Sequence, residues 1–141
     1  MTAETLFSIC SMTATAGWLP LLVAPRKRWA NTMVAGMIIP LVLAAVYSFL
    51  LLTHWGEGTG GFSSLHDVAA LFSNQWLLLA GWIHYLAFDL FIGAWQARDS
   101  VESNVPHALL VPCLILTFLF GPVGLACYLG MRQLRRYSKA K

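Results

Sequence analysis

The 141-residue chain carries very little charge for its length. Only 11% of its residues are charged, whereas 58% are hydrophobic. A soluble domain has about a quarter of its residues charged and uses them to cover its surface. The shortage of polar residues therefore excludes a soluble globular domain. It also excludes intrinsic disorder, which requires low hydrophobicity and high net charge.

Cysteines and extended basic surfaces are also scarce. Cys10, Cys113 and Cys127 all fall within apolar runs and lack the spacing of a metal site. Buried cysteines usually act as small hydrophobic residues, so we expect no metal and no disulfide scaffold. The net charge is +3, but the Lys and Arg residues lie mainly in two short clusters beside apolar runs. Nucleic acid is therefore not an expected partner.

Long apolar runs are what the chain has in abundance. Four can be marked, over about residues 5–24, 30–53, 73–96 and 107–131. Each is long enough to cross about 30 Å of hydrocarbon at about 1.5 Å per helical residue, and the mean hydropathy of +0.67 fits the same class. The sequence predicts an all-α polytopic membrane protein, in which residues 1–141 form one integral membrane domain of four transmembrane helices in a small bundle. Membrane lipid is its first expected partner.

Charge does not decide how this bundle is oriented. Four spans place Arg26, Lys27, Arg28 and Arg98 on one side, and the five Lys and Arg residues of the C-terminal tail on the other. The positive-inside rule weighs these numbers, and four against five gives no orientation. Both termini are expected on one side, and the third run is expected to be the most buried. The small bias leaves dual insertion and a re-entrant segment open.

The loop between the second and third runs is predicted to contain one further helix. Its glycines favour turns, and its serines before Leu65 are suitable helix caps. Leu65, Val68, Ala69 and Phe72 follow the i, i+3, i+4, i+7 spacing of an amphipathic helix. The sequence predicts a helix over residues 64–72 whose apolar stripe faces the membrane.

The third run contains two ionisable residues, Asp89 and His84. A carboxylate at membrane depth costs at least about 2.5 kcal/mol on insertion scales, and such residues usually mark a functional site. Both also have structural explanations: Asp89 as a hydrogen-bonding contact between helices, and His84 as a donor to a backbone carbonyl. Their five-residue separation turns the helix by about 140°, so they lie on different faces. They could line opposite walls of one cavity.

Other residues of the third and fourth runs suggest room inside the bundle. Pro122 after Gly121 removes a backbone donor and predicts a kink. His107 begins the fourth run and is either a surface residue or part of a site. Several aromatic residues could form a slot for a flat conjugated ligand, and core packing would explain them equally well: Trp82, Tyr85, Phe88 and Phe91.

The third and fourth runs resemble a known family. The stretch WIHYLAFDLF at residues 82–91, followed by Pro106-His107 and by FGPVGL at residues 120–125, is similar to the abscisic-acid-deficient-four family of small four-span membrane proteins. The resemblance is best over residues 74–132, and W-x-H-x-L-x-x-D-L-[FY] is its most specific pattern. Carried over residue by residue, the family motif falls on Trp82, His84, Asp89, His107, Gly121 and Pro122.

The resemblance implies carotenoid chemistry, because plant members of the family are implicated in neoxanthin formation. The implied reaction opens a 5,6-epoxide on a xanthophyll end group with loss of the C7 proton, and it needs no cofactor. Asp89 would then be the acid and His84 the base. The aromatic slot and His107 would contact the substrate, and Gly121 and Pro122 would form a structural kink.

Two other functions remain open at this stage. One is a pigment-binding or assembly subunit that holds a carotenoid without converting it. The other is a small proton-coupled transporter with Asp89 as its proton site. A homo-oligomer or a larger membrane complex is compatible with either. The absence of an extended transit segment predicts a bacterial inner membrane as the location.

Overall fold

Six α-helices make up most of the structure. A computed structural model describes residues 2–23 and 29–139, and this part of the chain contains no β-strand. The prediction of an all-α chain is therefore confirmed. A π-helical stretch, Ala30–Ile38, leads into α2, and a 3-10 turn, Trp55–Glu57, follows it. The helices are α1 Ala3–Val23, α2 Ile39–His54, α3 Leu65–Leu71, α4 Gln75–Glu102, α5 His107–Phe120 and α6 Pro122–Lys139.

Three helical segments are long and apolar enough to cross a membrane. They are α1, the continuous segment Thr32–Glu57 that contains α2, and α4. They correspond to the first three predicted spans. As expected, α4 is the most buried of the three, because α1 and α2 both pack against it.

The direction of each long helix follows from its contacts with α4. The ring of Trp18 lies against Gly93, and Trp82 donates its indole N–H to Ser11. Residue numbers rise in the same direction along both helices at this contact, so α1 runs parallel to α4. The ring of His54 stacks on Trp76, 4.9 Å between centroids, so the last turn of α2 lies at the beginning of α4. The π-helical stretch and α2 therefore run antiparallel to α4.

The helix predicted in the loop is present as α3. The hydroxyl oxygen of Ser64 caps it by accepting the backbone N–H of Asp67 at 3.1 Å. The helix begins at Leu65 and ends at Leu71. A membrane-facing stripe on α3 stays a prediction. A similar cap begins α4, where the Asn74 side chain accepts the N–H of Trp76 at 2.9 Å.

The predicted fourth span over residues 107–131 is not confirmed. α5 has 14 residues, which is about 21 Å of helix and too short to cross the hydrocarbon core. It ends at Gly121, whose φ is 24°, and α6 runs back along α5. Tyr128 and Arg132 of α6 reach Asp99 near the end of α4. α5 and α6 therefore form a helical hairpin that enters and leaves the bundle at the same end.

The G-P-x-G sequence explains why the chain reverses rather than only kinks. Gly121 adopts a positive φ that L-residues rarely adopt, and Pro122 cannot donate a backbone hydrogen bond to continue α5. A Cβ on Gly124 would collide with the backbone nitrogen of Thr117. α6 can therefore lie directly on the backbone of α5 because residue 124 has no side chain.

The hairpin also determines at which end of the helix bundle the last described residues lie. Ala3 lies beside Leu79 in the core, at the beginning of α4, whereas Arg132 contacts Ser103 just beyond its end. Ala3 and Arg132 thus lie at opposite ends of α4, and the expectation that both termini lie on one side is not confirmed. Arg26, Lys27, Arg28 and the predicted end of the first span at residue 24 lie outside the described residues.

A polar site beside the hairpin turn

Asp89 lies in the middle of α4 with its carboxyl group against the hairpin turn. A Cβ built on Gly121 would lie 2.6 Å from Asp89 Oδ1 and 3.0 Å from Oδ2, so the turn packs directly on the carboxyl group. Asp89 Oδ2 is buried and has no hydrogen-bond partner within the described chain. Because buried polar atoms are usually paired, this oxygen marks a candidate functional site.

Tyr85 lies one turn before Asp89 and connects α4 to the hairpin. Its hydroxyl donates toward the backbone carbonyls of Phe118 at 3.2 Å and Leu119 at 3.3 Å. In an uninterrupted helix the Phe118 carbonyl would accept the N–H of residue 122, which is a proline. Tyr85 therefore satisfies a carbonyl that Pro122 leaves without its partner. Tyr85 and Asp89 are four residues apart, so their side chains are neighbours on one face of α4.

Trp82 extends this face of α4 toward α1. Its indole N–H donates to the hydroxyl oxygen of Ser11 at 3.2 Å. Its ring lies 5.6 Å from the ring of Phe7 and 5.4 Å from that of Tyr85, between centroids. Trp82 thus has both the hydrogen-bond partner and the aromatic neighbours that a tryptophan at membrane depth requires.

The hairpin leaves part of this face uncovered. Toward the beginning of α4, Phe7, Leu78 and Trp82 line a cavity of about 300 Å³ and are 39%, 54% and 40% exposed. At the turn, Phe118 and Leu119 are exposed as well. We call the cavity lined by Phe7, Leu78 and Trp82, which also includes Glu4 and Gln75, the crevice; Trp82 is its lining residue nearest to Tyr85, at 5.4 Å between ring centroids.

His84 faces the opposite side of α4. Its ring stacks on Phe88 at 4.5 Å and lies 5.7 Å from Tyr47 of α2, between centroids. It lines a cavity of about 320 Å³ with Tyr47 and aromatic residues of the loop. The structure does not bring His84 to Asp89, because their side chains project from different faces of one helix.

The predicted aromatic slot is divided in the same way. Phe88 and Phe91 line an apolar groove of about 410 Å³ between α4 and the segment that leads into α2. Trp82 and Tyr85 lie on the face of Asp89. His107 is exposed at the start of α5, at the far end of the hairpin from the turn. Of the predicted site residues, only Trp82, Tyr85, Asp89, Gly121 and Pro122 come together.

Sequence reasoning missed two polar contacts that hold the hairpin on α4. Gln96 is fully buried, and its amide donates to the Thr117 hydroxyl at 3.0 Å. Near the end of α4, Asp99 accepts the Tyr128 hydroxyl at 2.6 Å and pairs with Arg132 at 2.8 Å. Gln96 lies seven residues after Asp89 on the same face of α4, and this spacing could have indicated from the sequence that Gln96 also contacts the hairpin. No group of three or more potential metal ligands occurs in the part of the chain described.

Three helices able to cross a membrane, together with a hairpin that turns at the middle of α4, define a polytopic α-helical membrane protein. The comparison with known families then assigns the chain itself. It belongs to the ABA DEFICIENT 4-like family, whose model matches residues 5–128. The resemblance noted in the sequence is thereby confirmed.

A plant relative supports this assignment. The chain is 26% identical over 134 residues to "Protein ABA DEFICIENT 4, chloroplastic" of Arabidopsis thaliana, a match that covers 89% of this chain and 60% of the relative. The chain thus spans less than two thirds of the relative's length. No solved structure matches the chain.

Proposed function

We propose that this protein acts on a carotenoid or a related isoprenoid and isomerises an epoxide end group by acid–base chemistry. The observation that carries the proposal is the Asp89 carboxyl group, which lies at mid-helix with one buried, unpartnered oxygen against Gly121. Family membership supports the substrate class, because the resemblance to the family implies carotenoid chemistry.

The crevice beside the hairpin suits such a substrate. Its lining is mainly apolar and includes Phe7, Leu78 and Trp82, with Glu4 and Gln75 as its polar members. A rigid polyene would lie against the apolar side chains. We propose that its end group extends along α4 from Trp82, past Tyr85, to Asp89.

The proposed step begins with a protonated Asp89. The Tyr85 hydroxyl donates its hydrogen bond to backbone carbonyls, so its oxygen can accept a hydrogen bond from the Asp89 O–H. Asp89 donates its proton to the epoxide oxygen, the bond from this oxygen to C6 breaks, and the C7–H electron pair forms the second double bond of the allene. The C7 proton returns to the carboxylate, so the product is an isomer and Asp89 regains its starting state.

The predicted role of His84 as the base stays a prediction. Its ring stacks between Phe88 and Tyr47 on the other side of α4. A carboxyl group has two oxygens, so Asp89 can donate from one and accept at the other. The geometry therefore favours Asp89 for both proton transfers.

A pigment-binding subunit is the second candidate function. The groove lined by Phe88, Phe91 and α2 residues is almost wholly apolar and holds about 410 Å³, which favours binding without chemistry. For either function we propose a bacterial inner membrane as the location, although the Arabidopsis relative is chloroplastic by name.

The proposal is tested by turnover of an epoxy-xanthophyll by the purified full chain in mild detergent, with products separated by chromatography. Asp89→Asn keeps size and hydrogen bonding but cannot supply the proton, so we expect turnover to fall at least about 100-fold. Asp67→Asn is the matched control, because it removes a carboxyl group from α3, outside the crevice. His84→Gln is expected to retain most of the turnover.

Two results would contradict the proposal, and a third would change its assignment of the base. Full turnover by a correctly assembled Asp89→Asn variant would make Asp89 a structural residue. Purified protein that retains a coloured carotenoid and forms no product, with or without Asp89, would establish the pigment-binding function instead. If turnover fell as far in His84→Gln as in Asp89→Asn, His84 would be assigned as the base.

A further inference from the structure

A second polar pocket lies at the far end of the hairpin from the turn. It has a volume of about 330 Å³ and lies where the end of α4, the connection to α5 and the last part of α6 meet. Its polar lining residues are Ser100, Asn104, His107 and Arg135. The pocket is separate from the Asp89 site, which lies about ten helical residues, or roughly 15 Å, away along α4.

Arg135 is the distinctive group in this pocket. Its Nε atom is buried and has no hydrogen-bond partner among the described residues. Asp99, the nearby acid on α4, is already occupied by Arg132 at 2.8 Å and by the Tyr128 hydroxyl at 2.6 Å. A buried guanidinium nitrogen without a partner is costly, because its desolvation is not repaid by a hydrogen bond. Among the described residues, Arg135 therefore has no partner for its Nε atom and no ion pair with a carboxylate.

The remaining polar groups favour an anion as well. The side chains of Asn104 and His107 can both donate hydrogen bonds. The Ser100 hydroxyl donates its hydrogen bond to the Ala97 carbonyl at 2.7 Å and is therefore not counted among the donors to the anion. The first turn of α5, which begins at His107, contains no acidic residue, so no carboxylate on this helix competes for the pocket.

From this arrangement we propose that the pocket binds a phosphate group, with Arg135 as its principal ligand. The planar fork of a guanidinium group matches two phosphate oxygens, and such charge-assisted hydrogen bonds are among the stronger ones in proteins. The pocket lies at the end of the bundle that carries Arg98, Arg132 and Arg135, where the headgroups of an adjoining leaflet would be. An anionic lipid headgroup and a free phosphate share this chemistry.

The test measures binding of phosphatidylglycerol to the purified full chain in mild detergent by native mass spectrometry. We expect Arg135→Gln to weaken binding about tenfold, because it removes a charge-assisted bond. Arg98→Gln is the matched control: it removes the same charge at the same end of α4 but lies outside the pocket, and we expect less than a twofold change. Arg135→Lys keeps the charge and loses the planar fork, so an intermediate loss is expected.

Competition distinguishes the two sources of phosphate. Sodium phosphate that displaces phosphatidylglycerol from the wild-type chain, and not from Arg135→Gln, would identify a site for free phosphate. Binding of the lipid that resists sodium phosphate and still depends on Arg135 would identify a headgroup site. Equal binding by the wild type and Arg135→Gln, or equal weakening by Arg98→Gln, would overturn the proposal.

Discussion

The three long helices and the α5–α6 hairpin differ in how their backbone N–H and C=O groups find hydrogen-bond partners. α1, the Thr32–Glu57 segment and α4 continue without reversal and satisfy most of their backbone hydrogen bonds internally, with Pro20 and Pro40 as local exceptions. The hairpin interrupts this pattern at Gly121, so carbonyls near the turn need partners from another helix. Tyr85 supplies one of them. A broken helix at membrane depth therefore depends on polar side chains that a continuous helix does not need.

This difference explains how polar residues are distributed around α4. On the side of the hairpin lie Tyr85, Asp89 and Gln96, and each of them contacts α5 or the turn. On the side of α2, the groove is lined by apolar residues such as Phe88 and Phe91. The polar side of α4 is thus built to hold the hairpin, and Asp89 is its member with an unpartnered oxygen.

The hairpin also changes how Lys and Arg residues divide between the two ends of the bundle. With four through-spans, Lys and Arg divide four against five. In the described part of the chain, the hairpin instead brings Arg132 and Arg135 of α6 to the end of α4 that carries Arg98. The positive-inside rule predicts that this end of the bundle is cytoplasmic.

Accessibility labelling gives an all-or-none test of the hairpin. Thr2→Cys and Gln133→Cys, each in a chain whose native cysteines are replaced by alanine, report on the two ends. We expect a membrane-impermeant maleimide on sealed cells to label Cys at position 2 and not at 133. Thr59→Cys, in the loop before α3, is the control and should behave like position 2. Labelling of positions 2 and 133 from the same side would contradict the hairpin and support a bundle of four spans.

The next largest effect is expected at the turn itself. Gly121→Ala places a Cβ at a positive φ and 2.6 Å from Asp89 Oδ1, so we expect a loss of about 3 kcal/mol in the free energy of unfolding. Gly130→Ala is the matched control, because a Cβ there meets nothing within 4 Å. It should be neutral or slightly stabilising. Denaturant unfolding in detergent measures both, and equal behaviour of the two variants would show that the turn is not constrained.

Much of this architecture could be predicted from the sequence, because length and hydropathy determine whether a helix can cross a membrane. The first three spans, the helix before Gln75 and the break at Gly121-Pro122 all follow from such local rules. The separation of His84 from Asp89 also follows, since helix geometry places them about 140° apart. These features depend on residues close together in the chain.

The reversal at Gly121 could not be predicted in this way. An apolar run of 25 residues with one Gly-Pro break has the same length and hydropathy whether the chain continues or turns back. Whether the chain continues or turns back depends on contacts between residues that are apart in the sequence, such as Gly124 with Thr117 and Arg132 with Asp99. For the same reason the sequence did not indicate Tyr85 as the partner of the hairpin carbonyls.

The smallest expected effect concerns the buried contact between Gln96 and Thr117. Thr117→Val leaves the fully buried Gln96 amide without its partner, and we expect a loss of about 1 kcal/mol in the free energy of unfolding, as for other polar contacts between membrane helices. Thr13→Val is the matched control, because the Thr13 hydroxyl bonds only the Ile9 carbonyl of its own helix, at 2.8 Å.

In the double variant Gln96→Leu/Thr117→Val neither polar group remains, so its loss should be smaller than the sum of the two single losses. Unfolding in mixed detergent micelles measures all four variants. Strictly additive losses would mean that this contact does not hold the hairpin on α4, and that Tyr85 and the Asp99 cluster hold it without help.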